Sequence, residues 1–235
     1  MTMAIEQPVL RRNDRLFFTG MACAAAITVF AGFAPTYFLR SAALPPLSPL
    51  LQVHGMVFTS WVSLFLAQTT LVAARRTDLH RRLGIAGAIL AVVLVIVGVT
   101  AAVDLLRRGV VFNDIDPRMF LAIPLGDMVV FPILVTAGIA FRRVAETHKR
   151  LMLLATMTLM TAAVARLVAP FNGGPLVFFG LTDLFVAAVV AYDLLSRRGV
   201  HPATIFGGLL IVVFKPLLLI VAGTDPWLAF ADALR

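Results

Sequence analysis

Seven apolar runs, each about as long as a bilayer is thick, leave this chain few ways to fold. They lie at about residues 17–38, 51–73, 83–105, 120–141, 150–170, 176–196 and 203–222. A membrane-spanning helix needs about 20 consecutive apolar residues, and lipid offers no partner to an exposed backbone amide. With 60% apolar residues, 14% charged and mean hydropathy +0.97, the chain has more apolar surface than a soluble domain of 235 residues can hide. The fold class read from the sequence is therefore all-α: a polytopic bundle of seven transmembrane helices. Residues 1–16 read as a short frayed tail, 17–222 as one transmembrane domain and 223–235 as a second tail, with Trp227 as an interfacial anchor. The run after Arg11, Arg12 and Arg15 exceeds the 7–15 residues of a signal-peptide core, so it reads as a retained first helix.

The loops fix the orientation. Three of them repeat one device, an Arg-Arg pair followed a few residues later by a His that opens the next helix: Arg75-Arg76 with His80, Arg142-Arg143 with His148, and Arg197-Arg198 with His201. The N-terminal side holds Arg11, Arg12, Arg15, Arg75, Arg76, Arg81, Arg82, Arg142, Arg143, Lys149, Arg150, Arg197 and Arg198, thirteen of the twenty basic residues. The other side holds Arg40, Arg107, Arg108, Arg118 and Arg235, and Arg166 and Lys215 lie within spans. By the positive-inside rule the N-terminus is cytoplasmic and the C-terminus outside. The formal charge of +8 is thus an address, with anionic phospholipid as the partner of the inner loops. No aromatic-basic interleaving points to nucleic acid. The same punctuation suggests one leading helix plus three hairpins (2–3, 4–5 and 6–7). The single cysteine, Cys23, excludes an intrachain disulfide.

Ionisable residues inside spans are costly and mark candidate sites. Four stand out: Asp127 in helix 4, Arg166 in helix 5, Asp183 in helix 6 and Lys215 in helix 7. Counting 1.5 Å per residue from the inner loops puts three of them roughly 21–22 Å deep and Arg166 roughly 27 Å deep, all in the outer half of the core. His54 sits at the same end of helix 2. Pro124, Gly126 and Pro132 flank Asp127, and Pro216 adjoins Lys215; breaks beside charges are a way membrane proteins build binding sites. Two readings follow. One is a pair of structural ion pairs, Asp183–Lys215 and Asp127–Arg166. The other is an outward-facing pocket made of His54, Asp127, Arg166, Asp183 and Lys215 that binds a small zwitterion or organic acid. Along helix 2, His54, Trp61 and Gln68 recur every seven residues and share a face, Trp61 and Gln68 as a packing aromatic and an interhelical hydrogen-bonding group.

The inner histidines carry a third reading. At helix starts imidazole leans neutral, and neutral imidazole ligates haem iron or a metal. His80 and His148 are the matched pair, candidate ligands of haem b or of a metal ion; otherwise they cap helices among lipid headgroups. No metalloprotease, nucleotide-binding or nucleophile-elbow motif is present.

At His80-Arg81-Arg82-Leu83-Gly84, and again at His148-Lys149-Arg150-Leu151-Met152 with Arg166-Leu167 beyond it, the chain resembles a large uncharacterised family of bacterial membrane proteins. That family has a His-Arg-Arg-x-Gly helix start and a later His-Arg-x-Trp-Met start, where this chain has Leu151 in the Trp position. The likeness covers helices 2 to 5, about half the chain, and implies a polytopic bacterial inner-membrane fold without an assigned activity. Binding or transport of a small molecule, haem handling, and a structural role in a membrane complex are the three functions the sequence leaves open.

Overall fold

A computed structural model describes residues 6–112 and 114–235, and the side chains from residue 12 onward. The first five residues of the expected tail, the Arg11 side chain and Asn113 lie outside the described residues. Helices α1 (Glu6–Phe33), α2 (Pro49–Ala73), α3 (Thr77–Arg107), α4 (Pro117–Phe120), α5 (Ala122–Ala140), α6 (Ala145–Thr158), α7 (Thr161–Val168), α8 (Pro175–Arg197), α9 (Pro202–Ala222) and α10 (Asp225–Ala233) form an all-α bundle. Six helical segments are long and apolar enough to cross a membrane, and the bent pair α6–α7 makes a seventh if it is one span.

Local chemistry sets the boundaries. Ser48 caps α2, its Oγ accepting from the Leu51 amide at 3.3 Å, with Pro49 as the first helical residue. His201 and Pro202 do the same for α9. Asn172 adopts the left-handed region (φ 55°) in the turn before Pro175, a conformation open to Asn at low strain. A π-helical turn, Ala34–Phe38, ends α1 at Pro35 and Leu39.

Several boundaries differ from those the sequence suggests. Helix α1 is already formed at Glu6, and that extension carries Asp14 to Lys149 and Tyr192. Helices α3 and α6 start at Thr77 and Ala145, so His80 and His148 each sit four residues into a helix rather than ahead of one. The C-terminal segment holds a helix, α10, which docks on α4: the Trp227 indole donates to the Arg118 carbonyl at 2.8 Å, and Arg118 pairs with Asp232 at 3.2 Å. Trp227 is thereby a packing residue as well as an aromatic at the bundle's end.

The expected break near Asp127 is also elsewhere. Pro132 and Pro216 lie inside α5 and α9, each one continuous helix. The bend, 40°, falls between α6 and α7, where there is no proline. Hydroxyls turn back on the backbone there, Thr158 to the Leu154 carbonyl at 3.2 Å and Thr161 to the Thr158 carbonyl at 3.2 Å. Such back-bonding competes with the helical ladder and bends it.

The core lies along α5 and α6, where Phe131, Leu134, Leu153, Leu154 and Met157 are fully enclosed. Ile85, Ile89, Val92 and Ile96 form an exposed apolar stripe on α3, as a lipid-facing helix requires. Helix α2 packs against α3 and α5 against α6, in line with two of the expected hairpins, while α8 and α9 touch more lightly.

Candidate functional site

At the arginine-poor end, the helices bring the intramembrane charges together in two different ways. Lys215 on α9 donates to Asp183 on α8 at 2.7 Å. The lysine side chain is 5% exposed and its ammonium lies 5.5 Å from the Phe179 ring centre, so the charge is held between an anion and an aromatic face. The expected pair Asp183–Lys215 is present.

Asp127 and Arg166 do not pair. They line one cavity of about 60 Å³, whose aromatic wall is Phe112, Phe120 and Phe178 and whose floor includes Thr161 at the α6–α7 bend. A void needs about 10–15 Å³ to hold one water, so this one holds a few waters or a solute of a few heavy atoms. The Arg166 guanidinium lies 4.2 Å from the Phe33 ring centre and donates to the Ala162 carbonyl at 3.0 Å. Both interactions fix it in place, and neither neutralises it. Asp127 makes no ion pair or hydrogen bond among the described residues, and Lys215 is close enough for their charges to interact. The expectation of an Asp127–Arg166 ion pair is therefore corrected: α5 and α7 bring the two groups to the lining of one cavity without pairing them.

His54 stacks on Phe58 with ring centres 4.1 Å apart, lies within electrostatic reach of Arg166, and buries an Nδ1 that has no hydrogen-bond partner. It does not line the cavity. Of the five residues expected to form one pocket, two line it, two form the Asp183–Lys215 ion pair, and His54 lies within electrostatic reach of Arg166. Trp61 on the same face of α2 donates to Thr156 on α6 at 3.3 Å and packs edge-on against Phe131, a structural role.

At the other end, His80 and His148 meet. Their ring centres are 6.2 Å apart and their planes nearly perpendicular, at 83°. His148 Nδ1 hydrogen-bonds the Gly138 carbonyl at 2.8 Å. His201 does not join them; its Nδ1 accepts from the Ala203 amide at 3.1 Å and caps α9. Among the described residues no three His, Cys, Asp or Glu side chains are grouped to hold a metal ion.

The largest buried charge network was not singled out from the sequence. Arg150, placed there among the inner-loop arginines, is fully buried, and so is Asp193 on α8. Arg150 donates to Asp193 at 2.5 and 2.9 Å and to Glu146 at 2.8 Å. Asp193 also accepts from the His201 amide at 3.0 Å and the Thr204 hydroxyl at 2.6 Å. Glu146 reaches Arg197 at 2.9 Å, and Lys149 reaches Asp14 at 2.6 Å. One cluster thus ties α1, α6, α8 and α9. Its signal in the sequence is Asp193, an acid one helical turn before Arg197 within an apolar span.

The chain is a multi-pass membrane protein by the length and composition of its helices. No family model, no curated protein and no solved structure matches it.

Proposed function

We propose that this protein binds a small zwitterion, and carries it across the membrane, through the cavity between Asp127 and Arg166. The observation that carries this reading is the cavity's make-up: a carboxylate and a guanidinium line the same space at the arginine-poor end of the bundle without touching each other. Both charges are half-buried and neither has an ion-pair partner, an arrangement that costs free energy, though less than the roughly 3–5 kcal/mol of stranding a fully buried charge. A ligand with a carboxylate for Arg166 and an ammonium for Asp127 completes both, and the phenylalanines suit a short apolar body. The adjoining Asp183–Lys215 pair sets the electrostatics of the cavity, and the threonine-lined bend gives α7 a joint about which the Arg166 side can move.

The arginine-rich loops support insertion with the N-terminus in the cytoplasm of a bacterial inner membrane, the cavity then opening toward the outer half and the basic loops resting on anionic phospholipid. The likeness in the His80 and His148 segments to the uncharacterised bacterial membrane family supports the same placement.

Two experiments test the reading. Reporter fusions after Arg75 and at Arg235 should report cytoplasm and exterior respectively. Proteoliposomes should accumulate labelled glycine, β-alanine or betaine, and Asp127→Asn and Arg166→Gln should each reduce uptake at least tenfold while Trp61→Phe does not. If neither variant changes uptake, the cavity is not the route. Binding without accumulation would leave a receptor or a subunit of a complex in place of a carrier.

A further inference from the structure

At the arginine-rich end, separate from the charged cavity, three observations concern one small region. The first is spacing. A metal–imidazole bond is roughly 2.0–2.1 Å and the ring centre lies ~1.1 Å behind the nitrogen, so two imidazoles bound in line on opposite sides of one ion have centres ~6.3 Å apart. His80 and His148 stand at 6.2 Å, with planes turned so that the rings do not stack. The second is orientation. The Gly138 carbonyl takes the Nδ1–H of His148 and so leaves Nε2 as the nitrogen available to a metal, as in a ligating histidine whose other nitrogen is anchored by a carbonyl. The third is a pair of buried polar atoms with no partner, Nδ1 of His80 and Oε1 of Gln68.

These groups share a level of the bundle. The Gln68 backbone carbonyl lies within reach of the His80 ring, and its amide lies near Gly84, one turn after His80. Trp61 on α2 meets Thr156 on α6. Seven residues along α2 from Trp61 is Gln68, and eight back along α6 from Thr156 is His148, passing Met152 on the same face. At 1.5 Å per residue both lie roughly 11–12 Å from the Trp61–Thr156 contact. Met152 packs against Gly138, the residue that anchors His148.

We infer that His80 and His148 bind a single soft, low-coordinate metal ion, Cu(I) by its chemistry, with Gln68 and Met152 as flanking groups. The surroundings favour a monovalent ion. Among the described residues no carboxylate or thiolate is grouped with the two imidazoles to neutralise a dication. Imidazole and thioether are ligands that copper accepts.

The test is Cu(I) titration of the purified full-length protein in detergent against a chromophoric Cu(I) chelator. One equivalent should be retained, with nitrogen scatterers at about 2.0 Å in X-ray absorption. His80→Ala and His148→Asn should each weaken retention at least 100-fold, while His201→Ala leaves it unchanged. The asparagine can still donate to the Gly138 carbonyl, so its loss of binding is not a loss of anchoring. Cu(I) should also raise the unfolding temperature of the native chain but not of either variant, which separates loss of a ligand from loss of fold. Three results overturn the assignment: no retained Cu(I), retention that survives the double substitution, or a Soret band on haem addition with no copper bound.

Discussion

Replacing Arg150 by Met isolates the most enclosed charge in the molecule. The side chains of Arg150 and Asp193 are both 0% exposed. The substitution removes the guanidinium and leaves Asp193 with two donors, the His201 amide and the Thr204 hydroxyl. It also takes one cation from Glu146, which keeps Lys149 and Arg197 as partners, at 21% and 43% side-chain exposure, so that the loss at Glu146 is small. Breaking a buried pair by deleting one partner costs about 3–5 kcal/mol, because the other charge stays buried. The two retained donors hold the estimate to the lower part of that range, about 3 kcal/mol, a change of roughly a hundredfold in the folding equilibrium. Denaturant unfolding in mixed micelles, followed by tryptophan fluorescence, measures it. In the double variant Arg150→Met, Asp193→Asn the stranded charge is gone, and at least half the loss should return. A loss below about 1 kcal/mol for the single change, or a double variant worse than the sum of the singles, would refute the view that this cluster is a buried, mutually satisfied network.

Four further outcomes follow from the same geometry. Lys215→Met should destabilise by about 2–4 kcal/mol, and Lys215→Met, Asp183→Leu should recover most of that, as for a buried ion pair exchanged for apolar contact; an equal loss in both would show Asp183 to be independent of Lys215. A Cβ at Gly32 would press on the Ala163 carbonyl, so Gly32→Ala should cost about 1–3 kcal/mol by forcing α1 from α7, read as a lower unfolding temperature. Trp61→Phe should cost about 1 kcal/mol for its hydrogen bond to Thr156 and leave ligand binding intact. Burial, then the charges of Arg150 and Arg197, hold the His201 pKa below its ordinary 6.5. The unfolded chain therefore takes up that proton first. The contribution of His201 to stability is whole above about pH 6.5 and declines as pH falls toward the folded pKa. His201→Asn, whose side-chain oxygen can take the place of Nδ1 as the capping acceptor, should flatten that limb of the stability–pH curve.

How far each feature could be read from sequence depends on how local its cause is. Span positions follow from hydropathy, and the Asp183–Lys215 pair from two opposite charges at one depth on consecutive helices. Depth alone could not place Asp127 and Arg166. Both lie in the outer half of the core, but contact also depends on rotation about α5 and α7, which depth does not give. The bend itself has no proline to announce it, only threonines whose hydroxyls compete with the ladder. Arg150 was hidden for a different reason: the positive-inside rule already accounts for an arginine near that loop. Only the packing of α6 against α8 and α9 shows this one turned inward to Asp193. Conversely, matched positions did indicate His80 and His148 as a pair. His201 looked like a third copy of the device, yet with Pro202 behind it the imidazole serves its own helix.

The most direct measurement of the cavity's role is equilibrium binding of labelled glycine, β-alanine and betaine to the purified protein, with Asp127→Asn, Arg166→Gln and the charge-swapped Asp127→Arg, Arg166→Asp alongside. The predicted result is saturable one-to-one binding of at least one of the three, weakened at least tenfold in each single variant. Absence of binding by all three, or binding that the single variants leave unchanged, would contradict it.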